Sequence, residues 1–323
     1  MLSVVIVNYH STPWLTKLFA SAYQYYAAEN IEWIVVNNAS EPNDQQNLQQ
    51  QFSFITWLEM GYNAGFARAC NKGIEASKGD AVLLLNPDTY FTDHSLITCY
   101  NQLKASKAVA CGVQLYTPDG LPQYSASHFM RGGLNYLLKI PIWGSILKKI
   151  GSSAQVTKPS LDKAVGTQQV GWISGAFLMV KKEAIDKAGM LDESFFLYGE
   201  EVEWCYRLGK LGALELYGNL SVVHLEGVNI SNASGSEVND YKYLYDKKGL
   251  QLMVSNHLLV HKVFGIGWCL FHYFNYMWGA IICLVANPIN QKKNALLFAG
   301  NCLKLTVWMP AILFNVKKLY KVL

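Results

Sequence analysis

The chain has 323 residues, of which 51% are apolar, 13% aromatic and 15% charged. This length suits one large α/β domain with an appendage, or two domains, and the composition can bury a core. The charge content is low for a fully soluble enzyme. The net charge of +4 is uneven, since residues 247–323 carry nine lysines and no acid, while the rest carries 18 basic and 23 acidic residues. A basic, apolar tail indicates an anionic lipid surface as partner rather than nucleic acid.

The chain start and the cysteines exclude further classes. The opening MLSVVIVNYH enters a strand directly, without a basic region or a small-residue cleavage site, so we expect no secretory signal. The seven cysteines are odd in number and include no CxxC pair, which favours reduced cytosolic thiols over disulfides or structural zinc. No glycine-rich dinucleotide or P-loop motif follows the first strand, so these nucleotide sites are disfavoured.

Buried strands and helices alternate along the first 116 residues. Strands are predicted at 3–9, 31–38, 54–60, 80–85 and 108–116, and helices at 12–26, 42–51, 64–77 and 93–105. Strands that are apolar on both faces and separated by helices indicate an α/β fold, with a mainly parallel sheet covered by helices on both faces.

Four strands of this predicted sheet end in polar residues. The four segments are Asn8–His10, Asn37–Ser40, Gly61–Asn63 and Asn86–Asp88. Ligands of such sheets bind beyond the carboxyl ends of the strands. We therefore expect the four segments to open into one cleft.

The pattern changes in the second half of the chain. Residues 120–161 hold five basic residues and no acid, and we interpret them as an insertion on the acceptor side of the cleft. Strands are predicted at 170–180 and 213–224, with a helix at 200–211 between them.

Glutamates at the start of that helix and a histidine after it are candidates for chemistry. Glu200, Glu201 and Glu203 crowd the helix start, where the helix dipole stabilises negative charge, so helix capping is one interpretation. The other is a general base that deprotonates an acceptor hydroxyl as it attacks an activated sugar carbon. His224 ends the strand 213–224 and is either a structural residue or a metal ligand.

Seven segments in order resemble glycosyltransferase family 2, specifically its rhamnosyltransferase-like branch. They are VVIVNYHS (4–11), VVNNAS (35–40), YNAGFARACNKG (62–73), LLLNPDT (83–89), GWISGAFLMVKKEA (171–184), GMLDESFFLYGEEVEWCYRL (189–208) and VVHLEG (222–227). The resemblance implies a GT-A fold with a nucleotide-sugar half at 1–118 and an acceptor half at 119–230. A helical membrane-associating region at 231–323 lies outside it.

The resemblance also implies inverting transfer from a nucleotide-activated sugar with one carboxylate base. Glu201 matches that base, which is normally aspartate in the family. Asp88 matches the last acid of the family's metal motif, Asn86 stands where the first acid would be, and His224 matches a metal-ligand histidine. A divalent ion stabilises the charge that builds on a diphosphate leaving group. Mg²⁺ needs only one or two protein carboxylates, whereas a histidine favours Mn²⁺, so the expected cofactor is Mg²⁺ or Mn²⁺.

Binding residues follow from the resemblance by position. The nucleotide-sugar residues are Asn8, Tyr9, Asn37, Asn63, Gly65, Arg68, Asn86 and Asp88, and the acceptor residues are Trp172, Asp192 and Glu200. Asn37 replaces an aspartate that contacts the pyrimidine in the family, although an amide oxygen can still accept the pyrimidine N3–H. Trp172 could equally be a core residue.

The tail contains two apolar stretches. Residues 263–286 are 24 residues without a charge, which is long enough for a membrane span, but His272 and seven aromatic side chains suit an interface. Residues 295–316 are broken by Lys304 and Pro310. We favour peripheral, monotopic attachment to the cytoplasmic face of the bacterial inner membrane. A true span, and packing on the body or on a second subunit of a homodimer, are the alternatives.

We therefore predict an inverting, metal-dependent glycosyltransferase that moves L-rhamnose from dTDP-L-rhamnose onto a polyprenyl-diphosphate-linked saccharide in bacterial surface glycan synthesis. One alternative is a galactofuranosyl- or other hexosyltransferase that uses a UDP-sugar. The other is a non-catalytic glycan- or nucleotide-binding module, which the departures at Asn37, Asn86 and Glu201 motivate. No nucleic-acid partner is expected.

Overall fold

The computed structural model describes residues 1–39, 42–154, 161, 163–225, 244–286 and 292–323, with the backbone alone at 42–46. These residues fall into two units. The first takes its described residues from Met1–His128, Ser160–Asp192 and Trp204–Asn229, and the second from Phe129–Pro159, Glu193–Glu203 and Ile230–Leu323. The predicted boundary at residues 230 and 231 lies outside the described residues, as do Ser40, Glu226 and Gly227 of the family-like segments.

The strands all lie in the first unit, and the helices are divided between the units. The strands are β1 (Leu2–Asn8), β2 (Ile31–Asn37), β3 (Ile55–Glu59), β4 (Ala81–Leu85), β5 (Thr89–Tyr90), β6 (Ala110–Tyr116), β7 (Ala126–Ser127), β8 (Thr167–Val170), β9 (Trp172–Ile173), β10 (Phe177–Lys181) and β11 (Leu214–His224). The helices are α1 (Thr12–Tyr26), α2 (Pro42–Gln51), α3 (Phe66–Ala76), α4 (Ser95–Ala105), α5 (Trp143–Ser153), α6 (Lys182–Ala188), α7 (Glu200–Leu208), α8 (Lys247–Phe264), α9 (Ile266–Ala286) and α10 (Lys292–Leu313), with a 3-10 stretch at Arg131–Lys139.

A nine-stranded sheet organises the first unit. Its strand order is β3-β2-β1-β4-β10-β6-β11-β5, with β8 paired to β11. Strands β1 to β4, β6 and β11 run in one direction, whereas β5, β8 and β10 run in the other. The predicted mainly parallel sheet is therefore confirmed, with an antiparallel strand inserted between β4 and β6.

Side chains of β1 alternate between two apolar clusters on opposite faces of the sheet. Val4 and Ile6 face the cluster that α1 and α4 complete, and Val5 and Val7 face the cluster that α3 and α6 complete. Burying one such side chain stabilises the fold by about 1.5–3 kcal/mol. Both faces are covered and every residue of β1 is buried, so the prediction of helices on both faces is confirmed.

The prediction of one strand at 170–180 is wrong. A turn at Ser174–Ala176 divides it, with the amide of Phe177 donating to the carbonyl of Ser174 at 3.2 Å. Strand β9 pairs with β7 in a separate two-stranded sheet, while β10 joins the main sheet antiparallel to β4. The apolar pattern continues through the turn, so periodicity alone cannot reveal the break.

Helix α8 is the buried helix of the second unit. Its N-cap is Asp246, whose carboxylate accepts from the amide of Gly249 at 2.7 Å, and it ends at Gly265, whose φ of 90° favours glycine. Helices α9 and α10 pack against it. The indole of Trp143 on α5 donates to the side-chain oxygen of Asn275 on α9 at 2.9 Å, which attaches part of the predicted insertion to this unit.

Helices α9 and α10 are, within the described ranges, the two that are long and apolar enough to cross a membrane by length and composition. Only 33% of the most apolar window of each is buried. Large apolar side chains are exposed on both, including Phe274, Trp278, Leu303 and Val307. These helices form the C-terminal candidate membrane-associating region that the sequence predicts.

Candidate active site

The turn after β4 carries Asn86 and Asp88. The buried strand ends at Leu85, and the amide of Asn86 then donates to the carbonyl of Ala176 at 3.1 Å. The Thr89 hydroxyl donates to the carbonyl of Asn86 at 2.7 Å, and the amide of Leu225 donates to the carbonyl of Asp88 at 2.9 Å. The Thr89 hydroxyl and the neighbouring residues Ala176 and Leu225 therefore fix the backbone from which the Asn86 and Asp88 side chains project.

His224 lies directly against this turn. It is the last residue of β11, and it pairs with Thr89 of the short strand β5, which the sequence did not predict. Its Nε2 atom lies 3.3 Å from Asp88 Oδ1 and 3.3 Å from Asn86 Nδ2. The His224 and Asp88 side chains are only 10% and 17% exposed. The structure thus brings three of the sequence-predicted residues together.

Asp88 and His224 have the donor chemistry of a divalent-ion site. No group of three or more His, Cys, Asp and Glu side chains that could hold a metal occurs among the residues that the structure describes. The pair offers one carboxylate oxygen and one imidazole nitrogen, 3.3 Å apart. Adjacent ligands about 2.1 Å from an octahedral ion lie about 3 Å from each other, so the pair fits two neighbouring positions of one ion. A divalent ion bound there would take the rest of its coordination from substrate phosphates and water.

Gln123 is a residue of this site that the sequence analysis missed. Its side chain contacts His224 twice, with Oε1 2.9 Å from Nδ1 of the ring and Nε2 2.9 Å from the backbone carbonyl. The two residues are 101 positions apart in the chain, so no local motif joins them. The only sequence signal for Gln123 is that this polar residue follows shortly after β6, a strand that neighbours β11.

The ends of β1 and β2 form the predicted nucleotide side. Asn8 pairs with Asn37 in the parallel register, and the amide of Asn38 donates to the carbonyl of Asn8 at 2.8 Å. The Asn8 side-chain oxygen accepts from the amide of Ser11 at 3.1 Å and so holds the loop before α1. Tyr9, in that loop, is 47% exposed and available to a ligand.

Asn37 is oriented by a carboxylate that the sequence analysis did not single out. Its side-chain nitrogen donates to Glu59 Oε2 at 2.8 Å. Because a carboxylate can only accept, the nitrogen of the amide is fixed towards Glu59, and the oxygen is directed away from that carboxylate. Glu59 ends β3 opposite Asn37, so a negative charge is present here although Asn37 itself is neutral.

Asn38 organises the segment that leads into α3. The sequence analysis placed this residue in a strand-end segment of the cleft but gave it no role of its own; it is buried, and its side-chain oxygen accepts from the amide of Ala64 at 2.8 Å. The Asn63 side-chain oxygen lies 3.3 Å from Asn38 Nδ2 and accepts from the amide of Gly65 at 3.2 Å. Gly65 has a φ of 89°, a conformation that favours glycine, and Arg68 follows in the first turn of α3. A helix N-terminus with an arginine suits a phosphate.

Trp172 lies in strand β9 and Asp192 follows helix α6, both in the first unit. The Trp172 ring is half-buried and lies 5.4 Å from the exposed ring of Tyr124. Asp192 follows Leu191, whose amide and carbonyl both bond to the side chain of Asn71 on α3 at 3.0 Å. Asn71 therefore fixes the backbone that presents Asp192, and sequence reasoning gave it no role.

Glu200 and Glu201 begin α7 and belong to the second unit. Before them, Tyr198 has a φ of 74° and Gly199 a φ of 89°, so the chain turns sharply into the helix at some cost in strain. Burial, and next the charge of Glu201, raise the pKa of Glu200 well above its ordinary value. Its Oε2 atom is buried with no hydrogen-bond partner among the described residues.

The surroundings of Glu201 differ from those of Glu200. Burial also raises the pKa of Glu201, while backbone N–H groups at Glu201, Gly199 and Val202 and the charge of Lys139 act in the opposite direction. Neighbouring acids in one environment do not ionise equally. The pKa of both groups is thus raised, and more backbone donors oppose the rise at Glu201 than at Glu200.

The fold and site define a class of protein, the GT-A glycosyltransferases. Among solved structures, the mannosyltransferase PcManGT from Pyrobaculum calidifontis, in complex with GDP-Man and Mn²⁺, has a similar fold with a TM-score of 0.52. At 11% identity the match covers 98% of this chain and 87% of that one. Residues 3–187, more than half of the chain, match the model of Glycosyl transferase family 2. The chain belongs to glycosyl transferase family 2.

Two named glycosyltransferases are similar to this chain in sequence. The N-acetylglucosaminyl-diphospho-decaprenol L-rhamnosyltransferase of Mycobacterium tuberculosis is 28% identical over 232 residues, which cover 67% of this chain and 73% of that protein. The low-salt glycan biosynthesis hexosyltransferase Agl10 of Haloferax volcanii is 26% identical over 213 residues, covering 64% of this chain and 61% of that protein. The chain is therefore similar to an L-rhamnosyltransferase and to a hexosyltransferase.

Proposed function

We propose that this protein transfers L-rhamnose from dTDP-L-rhamnose to a polyprenyl-diphosphate-linked saccharide, with inversion at the anomeric carbon. The observation that carries the proposal is the Asp88–His224 pair at the end of β4, in a chain of this family. The relative from Mycobacterium tuberculosis, named for L-rhamnosyl transfer to a diphospho-decaprenol-linked sugar, supports the choice of donor and acceptor.

In this proposal Asp88 and His224 hold Mg²⁺ or Mn²⁺, and Asn86 lies beside them. A bound divalent ion stabilises the negative charge of the departing nucleoside diphosphate. The Asn86 amide can rotate to present its oxygen, so its presence in place of the first acid is compatible with an ion that keeps substrate and water ligands. The Mn²⁺ in the structurally similar mannosyltransferase is consistent with this choice.

Glu201 is the proposed general base. It takes the proton from the acceptor hydroxyl while that oxygen attacks the anomeric carbon and the nucleoside diphosphate leaves. A pKa raised by burial matches a base that works near neutral pH, because catalytic efficiency is best when the pKa is close to the operating pH. Backbone N–H groups at Gly199 and Val202 fix the direction of the carboxylate.

The nucleotide is proposed to lie at the ends of β1, β2 and β3. With its nitrogen fixed by Glu59, Asn37 presents an oxygen that can accept the N3–H of thymine or uracil, and Tyr9 can pack on the base. The N-terminus of α3, with Asn63, Gly65 and Arg68, is the proposed contact for the diphosphate.

The acceptor lipid is proposed to stay in the cytoplasmic leaflet of the bacterial inner membrane. The exposed apolar side chains of α9 and α10 would enter that leaflet, and lysines of the tail would contact lipid phosphates. Trp172, Asp192 and Glu200 would contact the acceptor saccharide. Domain boundaries at 118 and 230, and a homodimer, remain part of this hypothesis.

A hexosyl transfer from a UDP-sugar is the second candidate. The hexosyltransferase relative from Haloferax volcanii favours it, and the proposed pyrimidine contact does not distinguish uracil from thymine. In both candidates the acceptor oxygen replaces the nucleoside diphosphate at the sugar, so the same residues keep the same tasks.

A transfer assay tests the proposal. The full-length protein in phospholipid vesicles is given decaprenyl-diphospho-N-acetylglucosamine, with dTDP-L-rhamnose or UDP-hexoses, in Mn²⁺ or in EDTA. We expect rhamnosyl product only with the metal, and an anomeric configuration opposite to that of the donor by NMR. Preference for a UDP-hexose would select the second candidate, and no consumption of any donor by folded protein would contradict both.

A further inference from the structure

Gln123 makes two hydrogen bonds to a single residue, His224, and is itself immobilised. Gln123 is 8% exposed, and its backbone N–H donates to the carbonyl of Leu115 at 2.8 Å. The side chain of Gln114 donates to the carbonyl of Gln123 at 2.9 Å. The backbone of Gln123 is thus fixed on both sides, which leaves its side chain little freedom to turn.

The hydrogen-bond partners determine which way the Gln123 amide faces. The backbone carbonyl of His224, 2.9 Å away, can only accept, so the amide nitrogen must point to it. The amide oxygen then faces Nδ1 of the His224 ring at 2.9 Å. An amide oxygen has no proton to give, so Nδ1 must be the protonated ring nitrogen.

The protonation of Nδ1 decides the chemistry of Nε2. In the neutral ring Nε2 then carries a lone pair, directed at Asp88 Oδ1 and Asn86 Nδ2, each 3.3 Å away. The amide nitrogen of Asn86 can donate to that lone pair, which is consistent with the same tautomer. A lone pair and a carboxylate oxygen that face each other are suited to a shared cation.

The turn after β6 explains why Gln123 reaches His224. The amide of Thr117 donates to the carbonyl of Leu121, and Tyr116 bridges to Pro122, so the chain reverses and runs back along the strand end. Strand β11 lies parallel to β6 on its other side, with Val223 opposite Tyr116. Residue 123 therefore lies across the end of β6 from residue 224, and its side chain spans that end to reach His224.

We propose that Gln123 is a positioning residue for the divalent ion, because it holds His224 in the Nδ1–H tautomer and turns Nε2 towards Asp88. This inference rests on the proposed function, since it concerns the ion at Asp88 and His224. Outer partners of metal-ligating histidines raise ligand basicity and fix the ring, and their loss typically weakens metal affinity by about 10–100-fold.

A purely structural role for Gln123 makes a different prediction. The bond from its amide nitrogen to the His224 carbonyl could serve only to join two segments of the backbone. Glutamate at this position keeps an oxygen acceptor for Nδ1–H but, as a carboxylate, cannot donate to the carbonyl. Alanine removes both bonds. Gln123→Glu and Gln123→Ala therefore separate the two roles.

The first experiment measures Mn²⁺ affinity of the full-length protein by electron paramagnetic resonance of the free ion. We expect Gln123→Ala to raise the Kd by about 10–100-fold, and Gln123→Glu to keep it close to the wild-type value. The matched control is Gln102→Ala, a half-buried glutamine of α4 whose side chain bonds to Thr167, and it should leave the Kd unchanged. Equal losses in Gln123→Ala and Gln123→Glu, or an unchanged Kd in Gln123→Ala, would overturn the proposal.

A second measurement on wild-type protein does not depend on the folding of a variant. Long-range nitrogen–proton NMR of the metal-free protein at pH 8.5, above the usual histidine pKa of about 6.5, reports the tautomer of the His224 ring. We expect a proton on Nδ1, whereas a proton on Nε2 would overturn the proposal. If the wild-type protein binds no Mn²⁺, the proposed metal site itself is wrong. If it binds Mn²⁺ but the Kd does not change in Gln123→Ala, only the role of Gln123 is wrong.

Discussion

Replacement of Asn71 by alanine tests how the first unit presents Asp192. The Asn71 side chain is 3% exposed and bonds to both backbone groups of Leu191, at 3.0 Å each. Alanine would leave a buried N–H and a buried C=O without these partners. Each loss costs about 1–3 kcal/mol, so we expect a total of about 2–6 kcal/mol. For a unit of this size that corresponds to a fall in Tm of about 4–24 °C.

The same replacement should change acceptor use more than donor use. Because Asp192 follows Leu191, a loosened Leu191 is expected to raise KM for the saccharide acceptor while KM for the nucleotide sugar changes little. Differential scanning fluorimetry and initial-rate kinetics measure the two effects. Asn71→Asp keeps an oxygen for the Leu191 amide, but its buried carboxylate would face the Leu191 carbonyl, so its loss of stability should be smaller at low pH, where the carboxyl is protonated, than at neutral pH.

Asn101→Ala is the matched control, since Asn101 is an exposed residue of α4. Its free energy of unfolding should change by no more than about 0.5 kcal/mol. If Asn71→Ala melts within about 1 °C of the wild type, the two bonds to Leu191 do not carry the stability assigned to them. A uniform change in both KM values would show that Asn71 does not act through Asp192.

Further predictions concern the chemistry and the membrane. Asp88→Ala should abolish transfer without lowering Tm, and Glu201→Gln should reduce kcat by about 10²–10⁴-fold, in radiolabelled-sugar assays. The raised pKa of Glu201 predicts that kcat/KM of the wild type falls as the pH decreases. The fall should occur at pH values above 4.5, the ordinary pKa of a glutamate carboxyl. Glu200→Gln should raise Tm at pH 8 and have little effect at pH 5. Phe274→Glu combined with Trp278→Glu should abolish flotation with anionic vesicles.

The sign of the Glu200 effect follows from its raised pKa. The native state holds the Glu200 proton more tightly than the unfolded state, so stability declines as pH rises from the ordinary pKa of 4.5 towards the raised one. Glutamine cannot ionise, so it removes that decline. A Tm gain that is equal at pH 5 and pH 8 would contradict this account.

Exposed residues provide controls for these variants. Asp119→Ala, in a surface turn, should leave transfer unchanged, and Glu183→Gln, in the first turn of α6, should leave the pH dependence of Tm unchanged. Tyr23→Glu alters an exposed side chain of α1 in the first unit and should leave vesicle flotation intact. Full activity of Asp88→Ala or Glu201→Gln would show that the assigned site is wrong.

The sequence predicts the sheet well where local pattern determines structure. Strand β1 is buried at every position because both faces of the sheet are covered, and α1 begins at Thr12 as its Ser-Thr-Pro start predicts. The limits lie in short elements. The two-residue strand β5 has too few residues for a periodic signal, and its pairing with His224 depends on β11, more than 130 positions later.

Only part of the candidate site can be predicted from the sequence, because contacts between distant residues leave no local pattern. Asp88 and His224 stand at strand ends, where a polar residue after an apolar run is visible. Gln123 and Asn71 are ordinary polar residues locally, and their importance comes from hydrogen bonds to residues 101 and 120 positions away. The role of Glu59 at the end of β3 likewise depends on its hydrogen bond to Asn37 of the neighbouring strand β2.

The central claim is that Asp88 and His224 hold a divalent ion at the nucleoside diphosphate. Pulsed electron paramagnetic resonance of Mn²⁺ bound to the full-length protein with dTDP tests it most directly. The account predicts coupling of the ion to phosphorus of dTDP and to a histidine nitrogen, with the nitrogen coupling absent in His224→Ala. Bound Mn²⁺ with phosphorus coupling but no histidine coupling, and with equal affinity in His224→Ala and Asp88→Ala, would contradict it.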